Sequence, residues 1–360
     1  MAANIDVIMP VKNCAGFVET AVSSVLSDRR HINRLIIIDN GSTDGTADIL
    51  TRIPRDVPTT ILMQDTGGLV AALNRGIEAS RSDFIARMDG DDISLPGRLS
   101  AQLSFLRQNL DVAAVGTQAE YIDEDGRRSG SRTTYPTSPI DVRRDLLGNR
   151  CVLCHPSVLI RRSALIACGG YRAAFQDAED YDLWLRLIDK YQIANVPDVF
   201  VQYRRHEGQV SNGKNLRQSF SRDLALYCSR ERRAGRAEPM WVNAMPTTYS
   251  GMQSLCPKPS VVDDLAFAYG AVERKLAGVE ASLPQRAISI IPKLAQRRYL
   301  GENRRARYRY IWMSATAAVQ QLDLVGALAA IGILVRSRLS DSRHFKKLAC
   351  GSKHAHLPAR

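Results

Sequence analysis

Short apolar runs alternate along the first half of the chain with stretches in which apolar positions recur every three or four residues. Ile5–Val11 is apolar and closed by Lys12 and Asn13, which predicts a first strand. Between Cys14 and Ser27, the positions Phe17, Val18, Ala21, Val22 and Val25 keep helical spacing and predict an amphipathic helix. Leu35–Ile38 predicts a buried strand that runs into a turn, Asp39-Asn40-Gly41-Ser42-Thr43-Asp44-Gly45, with a helix from about Thr46. Ile61–Met63 and Asp83–Met88 predict strands on either side of a helix over Gly67–Ala79. A helix from Arg98 to about Gln108, strands at Val112–Val115 and Val158–Ile160, a helix over Ala178–Lys190 and a late strand at Val199–Tyr203 follow. This alternation predicts an α/β fold: a mostly parallel sheet with right-handed crossovers, flanked by helices. Beyond about Asn212 the pattern turns helical, at 216–234, 262–277 and 304–338. The expected division is an α/β body over residues 1–212 and a mainly helical appendage over residues 213–360.

Charge sharpens that division. Residues 211–360 carry 25 Lys and Arg against 10 Asp and Glu, a net of +15, which leaves −3 in residues 1–210. A basic appendage points to an anionic partner; a membrane surface suits it, while nucleic acid fits the charge and nothing else. Hydrophobic content of 45% is ordinary for a globular chain. The run Leu324–Val335 falls short of the ~18 apolar residues expected of a spanning helix. The first residues, MAANIDVIMPV, have no basic segment ahead of an apolar one, and seven cysteines suit a reducing compartment. The expected location is the cytoplasm, peripheral at the inner face of the plasma membrane.

Three carboxylates in four positions, Asp89, Asp91 and Asp92 around Gly90, follow the strand at Phe84–Ala86. Crowded carboxylates repel unless a cation sits among them, and hard oxygen ligands suit Mg²⁺ or Mn²⁺ shared with a substrate diphosphate. A solvated Asp/Gly turn explains the same residues equally well. Asp39, at a strand end, is suited to accept from a base N–H or a ribose hydroxyl, and equally to shape a turn. Glu179, Asp180 and Asp182 open a helix, where acids are favoured by the dipole alone or where one serves as a general base. Tyr203-Arg204-Arg205-His206 is a basic cluster suited to phosphate or to completing a metal shell. Cys151-Val152-Leu153-Cys154-His155 has haem-attachment spacing, but without export or a second cysteine pair it reads as strand. Neither a dinucleotide-binding glycine fingerprint nor a P-loop occurs.

Seven segments in order resemble family-2 inverting glycosyltransferases of GT-A fold: PVKN, LIIIDNGSTDGT, GGLVAALNRGIEAS, FIARMDGDDISLPGRLSAQL, HPSVLIRRSAL, GGYRAAFQDAEDYDLWLRL and YRRHEGQVS. The resemblance covers about residues 4–212. It implies a nucleoside-diphosphate sugar donor and a hydroxyl acceptor such as a lipid-linked glycan, in surface polysaccharide or glycoconjugate synthesis. It implies further that Pro10 and Asp39 line a base pocket with Asp44 nearby, and that Asn74 and Arg75 face the nucleotide. Asp89 and Asp91 then form the D-x-D pair, with Asp91 most directly on Mg²⁺ or Mn²⁺. Asp180 is the implied base, and Arg204 and His206 lie close to the diphosphate and metal. Asn40 stands where many members have Asp, and Lys12 where an aromatic is common, which leaves the nucleotide open. A metal-dependent nucleotidyltransferase would leave Asp180 unexplained. A degenerate sugar-nucleotide-binding module would not need Asp89, Asp91 and Asp180 intact.

Overall fold

The computed structural model describes residues 4–65, 67–175, 177–206 and 215–238. The helices expected at 262–277 and 304–338 lie outside the described residues. The strands are β1 (Ile5–Val11), β2 (Ile32–Asp39), β3 (Thr59–Met63), β4 (Phe84–Arg87), β5 (Ile93–Ser94), β6 (Val112–Ile122), β7 (Arg128–Arg132), β8 (Leu159–Arg161) and β9 (Gln192–Arg204). The helices are α1 (Val18–Leu26), α2 (Thr46–Arg52), α3 (Gly68–Ala79), α4 (Arg98–Gln108), α5 (Pro139–Leu147), α6 (Arg162–Ala167), α7 (Glu179–Leu187) and α8 (Asn215–Arg233).

One sheet runs in the order β3-β2-β1-β4-β8-β6-β9-β5, with β7 hydrogen-bonded to β6. The β3-β2-β1-β4 half is parallel, as the alternation predicts, and β6 is parallel to β9. Antiparallel pairs join β4 to β8, β8 to β6, β9 to β5 and β6 to β7, so the sheet is mixed. β1 and β2 are buried on both faces. Ile5, Val7, Met9 and Val11 pack with Leu35 and Ile37 against α1, α2 and α4. On the opposite face, α3 comes so close that a Cβ on Gly76 would stand 2.5 Å from Ile8 Cγ2.

The carboxyl ends of β1, β2 and β4 open on one edge, where open α/β sheets take ligands. Three expected elements differ in extent. α1 starts at Val18 because Cys14–Phe17 form a turn held by Thr46 Oγ1 and Asp44 Oδ2. β6 runs past Val115 to Ile122 through polar residues. Gln118 Oε1 accepts there from Thr133 Oγ1 (2.9 Å) and Tyr135 N (2.8 Å), so the strand continues buried without being apolar. β9 starts at Gln192, with the pairing register shifting opposite Gly116–Gln118, where Pro197 and Asp198 read as a turn. α8 lies beyond the expected boundary near residue 212 and packs on α7.

Candidate active site

A cleft of about 760 Å³ opens over the ends of β1, β4, β6 and β9. Pro10, Lys12 and Asn40 line one end, Asp89, Gly90 and Asp91 its floor, and Glu179 and Asp180 the far side. The floor is tight by construction. A Cβ on Gly90 would meet Val11 Cγ1 at 2.7 Å and Cys14 Sγ at 3.0 Å, so only glycine lets the acidic loop cross the end of β1.

Asp89, Asp91 and Asp92 each present a carboxylate oxygen within 4.8 Å of the others. Asp89 Oδ2 accepts from Arg87 Nη1 at 2.5 Å, and Asp91 Oδ2 is 3.0 Å from His206 Nε2. Asp92 is buried. Its Oδ1 accepts from Arg204 N at 2.8 Å, while its Oδ2 has no partner among the described residues. Burial pushes the Asp89 carboxyl up to about 6, against the pull of Arg87, and Asp91 adds to the rise. Three converging acids, with Asp92 Oδ2 unpartnered among the described residues, fit a hard divalent cation, which Asp91 and Asp89, both lining the cleft, could hold.

Asp39 ends β2 beside Asn40 and is itself fully buried. Its Oδ1 accepts from Ser42 N (3.0 Å) and Ser42 Oγ (2.6 Å), while Oδ2 is buried without a partner among the described residues. Pro10 lines the cleft with Asn40. The other implied donor residues have work elsewhere. Asp44 accepts from Ala15 N (2.9 Å), Thr46 N (3.1 Å) and Thr46 Oγ1 (2.6 Å), which fastens the start of α2. Asn74 bonds both main-chain groups of Tyr171, donating to O (2.8 Å) and accepting from N (2.9 Å). Arg75 Nη1 donates to Met63 O. Arg204 donates to the carbonyls of Asp91 (2.8 Å), Asp123 (3.1 Å) and Glu124 (2.8 Å), so it anchors the acidic loop from behind.

The three acids that open α7 separate. Asp182 is buried and held by Arg172 (2.5 Å) and Arg186 (2.8 Å). Asp180 is half-buried in the cleft, and its Oδ1 accepts from Tyr181 N at 2.7 Å. Burial raises its pKa, opposed by that N–H, Arg222 and Arg87. Burial, then Asp180, pushes Glu179 up to about 8. Two cleft residues have no site role expected from the sequence. Arg87, a lone arginine ending an apolar strand, pairs with Asp89. His155 bonds Tyr171 Oη at 2.8 Å and is held neutral by burial and then by Arg87.

A mixed sheet with a converging acid cluster at its strand ends and a second carboxylate across the cleft matches a GT-A fold. Likeness to solved structures agrees: S. aureus TarS 1-349 in complex with UDP-GlcNAc superposes with a TM-score of 0.53 at 11% identity, covering 91% of this chain and 88% of that one. Residues 6–169 match the family model for glycosyl transferase family 2. The E. coli O-antigen biosynthesis glycosyltransferase WbnJ is 31% identical over 207 residues, 56% of this chain and 80% of that one. Bacillus subtilis (strain 168) EpsE is 34% identical over 191 residues, 52% and 67% of the two chains. The chain belongs to glycosyl transferase family 2.

Proposed function

We propose that this protein is a metal-dependent, inverting hexosyltransferase. It moves a sugar from a nucleoside-diphosphate donor to a hydroxyl acceptor during surface-polysaccharide assembly at the inner face of the plasma membrane. Residues 1–212, with α8 packed on them, would form the catalytic body and the remaining basic chain its attachment. WbnJ supports the pathway class, being named for O-antigen biosynthesis. The carrying observation is that one cleft has Asp89 and Asp91, two members of a converging three-acid cluster, on its floor and a separate carboxylate, Asp180, on its far side.

On this reading Asp39 Oδ2 accepts a hydrogen bond from the base, and Pro10 borders its ring. The floor acids face the diphosphate, with a bound Mg²⁺ or Mn²⁺ supplying Lewis-acid stabilisation of charge on the departing phosphate. His206 orients the Asp91 carboxylate, and Arg87 orients Asp89. Asp180 takes the proton from the acceptor oxygen as that oxygen attacks the anomeric carbon. Its raised pKa makes it a better base near neutral pH than an exposed aspartate. Glu179, its carboxyl raised by burial and then by Asp180, stands beside Asp180 in the cleft. One displacement inverts the anomeric centre, and no carboxylate is required as a covalent nucleophile.

The test separates the two acids. Asp180→Asn should lower kcat by about 10²–10⁴-fold with donor affinity unchanged, as expected for loss of a general base. Asp91→Asn should abolish transfer and metal-dependent donor binding together, and excess EDTA should do the same to the wild type. Full turnover of Asp91→Asn, or full activity in EDTA, sinks the metal assignment. An active Asp180→Asn beside an inactive Glu179→Gln moves the base to Glu179.

A further inference from the structure

The cleft wall formed by β6 and β9 takes no part in the steps above. In the β6–β9 register Tyr121 pairs with Tyr203, and their rings meet edge-on with centroids 5.9 Å apart. Side chains alternate along a strand, so Val201, Tyr203 and Arg205 fall in one row and Gln202, Arg204 and His206 in the other. The second row serves the acidic loop through Arg204 and His206. The first row serves a different surface. Val201 is buried with Ala119 and Cys154, and Tyr135 and Tyr203 pack over them. Tyr121, Tyr135, Tyr203 and Arg205 all line the cleft.

Arg205 is exposed, and its guanidinium stacks 3.8 Å from the centroid of Tyr121. Among the described residues no carboxylate pairs with it. Glu120, the neighbour of Tyr121, belongs to the other row and engages Gln202 Nε2 (2.8 Å) and Arg128 (3.4 Å). An exposed guanidinium seated over an aromatic ring is suited to a planar carboxylate or a phosphate. Aromatic faces beside it suit the apolar C–H face of a sugar ring. The stack also removes part of the ordering cost of binding.

We infer that Tyr121, Tyr203 and Arg205 form an acceptor subsite that selects a sugar carrying a negative charge, as carboxylate or phosphate. The inference rests on the glycosyltransferase reading and adds the acceptor's chemical class. Its test is calorimetric binding to the full chain, with Mn²⁺ and UDP or GDP present, of methyl glucuronide, glucose 6-phosphate and methyl glucoside. The charged probes should bind at least about tenfold tighter than the neutral one, the discrimination expected of a charge-assisted hydrogen bond. Arg205→Met should remove that preference and leave nucleotide affinity unchanged, while Arg205→Lys should keep part of it. The ranking of glucuronide against phosphate tells which anion is read. Equal binding of all three probes, or binding of none while nucleotide binds, overturns the proposal. A matching loss of nucleotide affinity in Arg205→Met also overturns it, because the arginine would then hold the donor. Absence of any nucleotide binding by the wild type sinks the glycosyltransferase reading, and the acceptor subsite with it.

Discussion

Burial, and then the neighbouring Asp180, push the Glu179 carboxyl up to about 8, whereas in the unfolded chain a glutamate ionises near about 4.3. Between those values the folded state holds a proton that the unfolded state has released. Stability therefore falls as pH rises through this window, and the loss is complete above the folded value. Asp89, Asp92 and Asp180 are raised by burial in the same direction. Urea midpoints measured in EDTA should thus decline from about pH 5 to about pH 8, and Glu179→Gln should flatten the upper part of that decline. An unchanged slope in the variant would show that Glu179 ionises freely. At this scale the sequence marked the residue types and left their division of labour open. Asp89, Asp91 and Asp180 reach the cleft as motif order implied. Asn74 bonds the main chain of Tyr171, and Arg204 the carbonyls of Asp91, Asp123 and Glu124, partners distant in sequence. Local spacing carries no information about such partners.

Among elements, β1 has an unusual member in Asp6, a buried acid in an apolar strand. It accepts from Ser80 Oγ (2.8 Å), Arg81 N (2.7 Å), Ser82 N (3.1 Å) and Ser82 Oγ (2.8 Å), so it fastens the end of α3 to the sheet. Burial alone would raise its pKa; the bonds from Arg81, Ser80 and Ser82 outweigh that and hold it below the ordinary value. Asp6→Ala should cost about 1–3 kcal/mol, because buried donors lose their acceptor. Urea unfolding measures this, and a change within about 0.5 kcal/mol, the range of ordinary surface substitutions, would show that water replaces the carboxylate. The parallel half of the sheet was legible because β1, β2 and β4 are apolar runs and α1 and α3 keep helical spacing. β6 and β9 were read too short. Their polar residues are satisfied across strands, as Gln118 is by Thr133 and Tyr135, and hydrophobicity patterns miss that kind of burial.

For the whole molecule, most of the charge asymmetry belongs to residues outside those described, and it carries a prediction. No helix among the described residues is long and apolar enough to cross a membrane. The run Leu324–Val335 stands beside Arg336, Arg338, Lys346 and Lys347. If this region meets an anionic leaflet, the protein should sediment with vesicles containing anionic lipid. Salt should release it, since the Debye length falls from ~10 Å at 0.1 M to ~3 Å at 1 M. A chain ending at Val319 should lose most of that binding and keep donor hydrolysis. Equal binding to neutral and anionic vesicles, or binding to neither, removes the electrostatic attachment. The sequence showed the sign and place of the charge. It did not show that α8, beyond the motifs, packs on the α7 helix that carries Asp180.

The two rows of β9 bear on how this enzyme can change over time. On the proposed reading, substitutions at Tyr203 or Arg205 would alter what the acceptor wall recognises and leave the cation side intact, so acceptor preference could drift one codon at a time. Loss or gain of a single residue between Val201 and Tyr203 would exchange the rows and present Arg204 and His206 to the acceptor. Lineages and mutant libraries should therefore be rich in replacements at the first row and poor in length variation across this strand.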